Sequence, residues 1–154
     1  MRIFRITKAP HADLTGEGGL HASGRWHRRG RRVVYAADSR ALAILEALVH
    51  LDPEDVPDDL VLLTIDVPDD LPREDIDVAA LPADWQGPLH PACLAAGDAW
   101  LAAARTPLLR VPSVMAHEEH TFLLNPAHPD AGRIAIQSRR DFTFDPRLLE
   151  ATPR

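Results

Sequence analysis

The sequence predicts an α+β fold in a single domain spanning residues 1–154, with a sheet of short strands and a few short helices. Three observations predict it. Short runs of β-branched and aromatic residues lie near both ends of the chain, which is the composition of strands. Two segments, one early and one late, carry helical spacing or helical composition. Fourteen prolines cut the chain into short elements with defined turns.

Met1 to Thr7 alternates Ile3 and Ile6 with basic residues and reads as a short strand at a sheet edge. Residues 11–24 are rich in Gly, Thr and Ser and read as loop, where glycine lets a ligand approach the backbone. Val33, Val34 and Tyr35 mark a buried strand over 32–37. Asp38 and Ser39 suit the cap of a helix running from about Arg40 to about His50, with Leu42, Leu45, Leu48 and Val49 as its apolar stripe. Pro53 and Pro57 end it, and Leu60 to Val67 forms the next strand. The acidic, proline-punctuated stretch 69–91 has no period and reads as a covering loop. Ala92 to Ala104 is alanine-rich and helical apart from Gly97. Short strands follow at 108–111, 121–124, 133–136 and 142–144. No internal repeat or low-complexity linker marks a second domain.

Charge narrows the function classes. The net charge of -6 disfavours a general nucleic-acid binder, which would repel the phosphate backbone. The cluster Arg25, Arg28, Arg29, Arg31 and Arg32 is nonetheless free of acids, and a basic patch on an acidic protein suits a defined anionic ligand better than a polymer. It reads as the border of an anionic cofactor site, as a solvated loop or, least well, as a nucleic-acid contact. The lone Cys93 excludes an intramolecular disulfide. The first ten residues contain no continuous apolar run, and the longest apolar stretch, 41–51, is interrupted by Glu46 and His50. A cytoplasmic protein without a membrane segment is expected.

Individual residues carry paired readings. Arg25, between Gly24 and Trp26, has the planar fork that suits phosphate; taken alone, the triplet reads more simply as a surface arginine stacked on Trp26. Glu46 sits beside an apolar stripe, where a carboxylate needs a partner, a task or a way out to solvent. Tyr35 reads first as a core ring with a bonded hydroxyl, and Ser113, after Pro112, as a turn residue. His117, Glu118, Glu119 and His120 lack the spacing of a zinc motif and read as a solvated polar loop; no metal site is expected.

Gly18-Gly-Leu-His-Ala-Ser-Gly-Arg-Trp-His, Val33-Val-Tyr-Ala-Ala, and Ser39 through Leu42-Ala-Ile-Leu-Glu46-Ala-Leu-Val-His50 together resemble the N-terminal signature of RES-domain proteins. Val111-Pro-Ser-Val and Phe122-Leu-Leu-Asn-Pro-Ala-His-Pro resemble the C-terminal signature, and Phe142-Thr-Phe-Asp-Pro-Arg-Leu resembles the closing strand. The resemblance covers nearly the whole chain. Two departures are His27, where the family commonly has asparagine, and His21, where an aromatic residue is common.

The resemblance implies a core similar to that of ADP-ribosyltransferases, built on a mixed or antiparallel sheet. It implies a toxin of a toxin–antitoxin pair that degrades NAD, with a Xre-type antitoxin as partner and a homodimeric toxin inside the complex. The family's namesake arginine, glutamate and serine fall on Arg25, Glu46 and Ser113, and a further site tyrosine on Tyr35. In that role Arg25 grips the diphosphate of NAD and Tyr35 meets the nicotinamide. Glu46 stabilises positive charge at the ribose, and Ser113 positions the ribose or the amide. No metal is required, because the leaving group is already cationic. Hydrolysis or phosphorolysis of NAD is the first function expected, and protein ADP-ribosylation, which breaks the same bond, is the second. A non-catalytic module that only holds an antitoxin complex is a third.

Overall fold

The computed structural model describes residues 1–150. Its strands are β1 (Arg2–Lys8), β2 (Val34–Ala37), β3 (Leu60–Asp66), β4 (Arg73–Asp75), β5 (Leu108–Pro112), β6 (His120–Leu124) and β7 (Ala135–Asp141). Its helices are α1 (Gly18–His21), α2 (Arg40–Leu48) and α3 (Pro91–Ala103), with short 3₁₀ turns between elements. All seven strands join one sheet in the order β4-β5-β6-β2-β1-β3-β7. Only β4 and β5 run parallel, so the sheet is mixed and the fold is α+β as the sequence predicts. Among the described residues no helix is long and apolar enough to cross a membrane.

The expectation of an edge position for β1 is overturned. β1 is interior, paired with β3 along its whole length from Arg2↔Asp66 to Lys8↔Leu60. Its basic residues suggested solvent on one side, but Ile3 and Phe4 are buried and adjacent, so the strand packs on both faces. On its other side β1 meets β2 at one rung, Phe4↔Ala37. Beyond that rung the two strands diverge, and the sheet opens between them. β3 departs from simple alternation in the same way, since all residues from Leu60 to Ile65 are buried.

Other local expectations also shift. The loop expected over 11–24 contains α1, a single helical turn. The stretch 69–91 contains β4 and a 3₁₀ turn, and it contributes Trp85 to the core; a three-residue strand is too short to leave a period in the sequence. Phe142 to Phe144 is not a strand: the chain leaves β7 at Asp141, and the two rings pack edge to face at 4.9 Å.

Helix α2 begins where expected. Ser39 is extended, and its Oγ accepts the Leu42 amide at 3.0 Å. Its buried stripe differs from the expected one, because Leu42 and Ala43 are buried whereas Leu45 and Val49 are exposed. The helix has rolled so that Ala43, Glu46, Ala47 and His50, spaced by three and four residues, face the gap between β1 and β2. The two alanines leave that gap open. On the opposite side, α3 packs so closely that a Cβ on Gly97 would lie 1.7 Å from the Trp26 carbonyl oxygen. Trp26, Trp85 and Trp100 share one core cluster there.

Candidate active site

The divergence of β1 and β2, roofed by α2, creates a cavity of about 750 Å³. That size suits a nucleotide-scale ligand. Arg25, Tyr35 and Glu46 all line it.

Arg25 comes from the turn that precedes β2. Its Nη1 donates to three consecutive carbonyls, of Trp85 (3.3 Å), Gln86 (2.9 Å) and Gly87 (2.8 Å). Among the described residues its Nε and Nη2 make no hydrogen bond, so two donors remain for a ligand. The expected stacking on Trp26 is absent: Trp26 is 2% exposed and packs against Trp85 with ring centroids 6.2 Å apart.

Tyr35 has its hydroxyl inside a closed chain of bonds. The Trp26 amide donates to it at 3.2 Å, and His27 Nδ1 lies 2.7 Å away. His27 Nε2 faces the Ala22 carbonyl at 3.0 Å, so Nε2 carries the hydrogen and Nδ1 accepts from the phenol. Burial pushes the tyrosine hydroxyl far above the usual phenol range, against the Trp26 amide. Burial also lowers the His27 imidazole below its ordinary value, opposed by the Ala22 carbonyl. Both groups are therefore neutral at pH 7. Gly24 is required beside them, because a Cβ there would lie 2.8 Å from the Tyr35 hydroxyl.

Glu46 is half-buried on α2, and Ser113 donates its hydroxyl to Glu46 Oε1 at 3.1 Å. Ser113 is 2% exposed and stands behind Glu46 rather than on the cavity wall. Its Oγ also accepts the amides of Met115 (3.0 Å) and Ala116 (3.2 Å), so the turn role read from sequence holds as well. Ser113 leaves Glu46 Oε2 free of protein donors among the described residues. A second tie joins the same loop to α2: Ser39 Oγ donates to Glu119 Oε2 at 2.6 Å. The segment 117–120 is thus not merely a solvated loop. Glu119 holds the cap of α2, and the His120 amide donates to Asp38 at 2.9 Å.

The sequence reading missed Arg5 and Lys8, which line the cavity from β1, and gave His27 no role. A charged residue between Phe4 and Ile6 was the available signal for Arg5. Of the arginine run, Arg28 pairs with Asp98 at 2.6 Å and Arg32 donates to the Thr15 carbonyl at 3.3 Å. Among the described residues no group of three or more His, Cys, Asp or Glu is placed to hold a metal ion.

Comparison with known proteins adds four findings. A family model described as RES domain matches residues 2–145. A relative from Pseudomonas putida named Toxin Res is 43% identical over 151 residues, covering 97% of this chain and 100% of its own. A relative from Sphingobium sp. named Prs ADP-ribosylating toxin is 41% identical over 141 residues, covering 89% of this chain and 87% of its own. Among solved structures, a crystal structure of the M. tuberculosis MbcT–MbcA toxin–antitoxin complex superposes with a TM-score of 0.73 at 22% identity. That match covers 96% of this chain and 86% of the other, and it shows a shared fold.

Proposed function

Because the chain belongs to the RES-domain family, we propose that it is the toxin of a toxin–antitoxin pair and that it breaks the nicotinamide–ribose bond of NAD. The observation that carries this reading is the cavity itself. A guanidinium, a phenol ring and a carboxylate surround one space of about 750 Å³, and a buried serine fixes the carboxylate.

In this reading Arg25 binds the diphosphate through Nε and Nη2, while Nη1 stays anchored on the 85–87 carbonyls. Tyr35 sets its ring against the nicotinamide; its hydroxyl, already engaged by Trp26 and His27, is not a proton donor for the reaction. Glu46 uses Oε2 on a ribose hydroxyl and stabilises the positive charge that grows at the anomeric carbon as the C–N bond stretches. The bonding electron pair leaves with nicotinamide, which departs neutral. Water then attacks the anomeric carbon and loses a proton, or phosphate attacks it directly. The RES domain in this reading is the whole of residues 1–154.

A protein side chain as acceptor is the second reading, favoured by the 41%-identical relative named an ADP-ribosylating toxin. The partner in either case is a Xre-type antitoxin, with a toxin homodimer inside a cytoplasmic complex and no DNA contact by this chain. Supporting this are the toxin–antitoxin complex of the structural neighbour and the exposed apolar side chains of Val49, Leu89 and Met115 at the cavity.

The test is NAD consumption by the purified chain beside Glu46→Gln, with nicotinamide and the ADP-ribosyl product separated by chromatography. The wild type is expected to release nicotinamide, and the variant to be slower by about two to three powers of ten. Equal turnover by the variant removes Glu46 from the chemistry. Labelled ADP-ribose recovered on protein rather than as a small molecule selects the second reading.

A further inference from the structure

Arg25 owes its aim to a loop that is distant in sequence. Its Nη1 carries two hydrogens and meets three successive carbonyls, of Trp85, Gln86 and Gly87, at 3.3, 2.9 and 2.8 Å. Successive carbonyls of an extended chain point in opposite directions, so three converge only where the backbone is bent and held. Part of the bend is a turn in which the Gly87 amide donates to the Asp84 carbonyl at 3.0 Å. The buried Trp85 ring fixes the start of the loop against Trp26.

The far half of the loop is held differently. Among the described residues the amides of Leu89 and His90 make no backbone hydrogen bond. Leu89 has a φ of 47°, a conformation that a leucine keeps only while its surroundings impose it. The His90 side chain supplies the closure. Its Nδ1 accepts the Ala92 amide at 3.2 Å as the cap of α3, so the hydrogen is on Nε2, which donates to Asp84 Oδ1 at 3.2 Å. One imidazole thus ties the beginning of the loop to the first turn of α3.

We propose that His90 is a positioning residue for Arg25: its bond to Asp84 clasps the loop 84–90, and the clasped loop holds the three carbonyls on Nη1. The inference rests on the reading of Arg25 as the ligand of the NAD diphosphate. Three carbonyl dipoles facing one point repel one another unless a cation lies between them, so loop and guanidinium stabilise each other. With the clasp open, the strained Leu89 relaxes, the carbonyls of Gln86 and Gly87 swing apart, and Arg25 loses its fixed direction. The Asp84 side chain is 83% exposed, so the clasp sets the aim of Arg25 without holding up the core.

The experiment uses His90→Asn, Asp84→Ala and the double variant, with NAD kinetics and calorimetric titration with ADP. Asparagine is a good helix cap but is too short to reach Asp84, so His90→Asn removes the clasp and keeps the cap. Each single variant is expected to raise the KM for NAD and weaken ADP binding by roughly fivefold, with kcat and melting temperature near wild type. The double variant is expected to be no worse than either single one, because both remove the same bond. Asp70→Ala, which breaks the exposed pair with Arg133, is the control and leaves KM unchanged. If His90→Asn does not fold, Asp84→Ala decides. Wild-type KM and ADP affinity in Asp84→Ala, losses that multiply in the double variant, or a loss confined to kcat overturn the proposal and leave NAD cleavage standing. A wild-type chain that neither binds ADP nor cleaves NAD overturns both.

Discussion

A single methyl group on a residue outside the cavity lining is expected to disturb the site. The perturbation is Gly97→Ala on α3. The added Cβ would lie 1.7 Å from the Trp26 carbonyl oxygen and 2.6 Å from its carbonyl carbon. An ordinary close C···O approach is about 3.3 Å, so helix or turn must retreat by roughly 1.6 Å. Overpacking of this kind destabilises by about 1–3 kcal/mol, against a helix-propensity gain of about 1 kcal/mol. At about 2–4 °C per kcal/mol for a chain of this size, the net effect is a fall of a few degrees in melting temperature. The proposed NAD cleavage is expected to suffer more, because Arg25 immediately precedes Trp26. A misplacement of about 1 Å in a binding group can reduce a rate by about a hundredfold. Thermal unfolding and steady-state kinetics with NAD measure the two effects. Gly18→Ala is the control, since a Cβ there meets nothing within 4 Å. A Gly97→Ala protein that melts and turns over like wild type would refute the packing argument and the link from α3 to Arg25.

Two further outcomes follow from the Tyr35 network. Tyr35→Phe leaves the Trp26 amide and His27 Nδ1 without their partner, and is expected to destabilise by about 1–3 kcal/mol in chemical denaturation; an unchanged midpoint would mean that water replaces the hydroxyl freely. For pH, His27 titrates lower in the folded protein than in the unfolded chain. The unfolded state therefore binds the proton first as pH falls below about 6.5, and the His27 contribution, full above that pH, is lost as pH drops toward the folded value. Melting temperature measured between pH 5 and 7.5 should fall on the acid side, and His27→Asn should flatten that part of the slope. A slope that the substitution leaves intact assigns the acid sensitivity elsewhere.

How much of this was legible beforehand depends on range. Local signals read correctly: Ser39 as a cap, the strand at Val34–Ala37 and the helix at Pro91–Ala103 depend on neighbouring residues only. Of the namesake residues, Arg25 and Glu46 meet around one cavity together with Tyr35, and Ser113 stands behind Glu46. What stayed hidden was set by distant parts of the chain. The anchor of Arg25 lies about sixty residues away in the turn at 85–87, inside a stretch with no period. Arg5 looked like a solvent-facing charge because alternation along a strand cannot tell water from a cavity. The roll of α2, which exposes Leu45 and Val49 and turns Glu46 inward, follows from the packing of Leu42 and Ala43 on the sheet.

The two ties between α2 and the loop after β5 have a mechanical consequence. Glu46 and Ser39 are seven residues apart, which is within about 20° of two full turns, so both ties grip the same side of the helix. One tie would act as a pivot. Two ties at separated heights also suppress tilt, and each, lying off the axis, resists rotation about it, the motion to which a side chain's aim is most sensitive. A roll of about 20° would swing a side-chain tip some 6 Å from the axis through roughly 2 Å. The aim of the Glu46 carboxylate is therefore held by leverage, and Glu119, far along the loop, is as much a part of its mounting as Ser113.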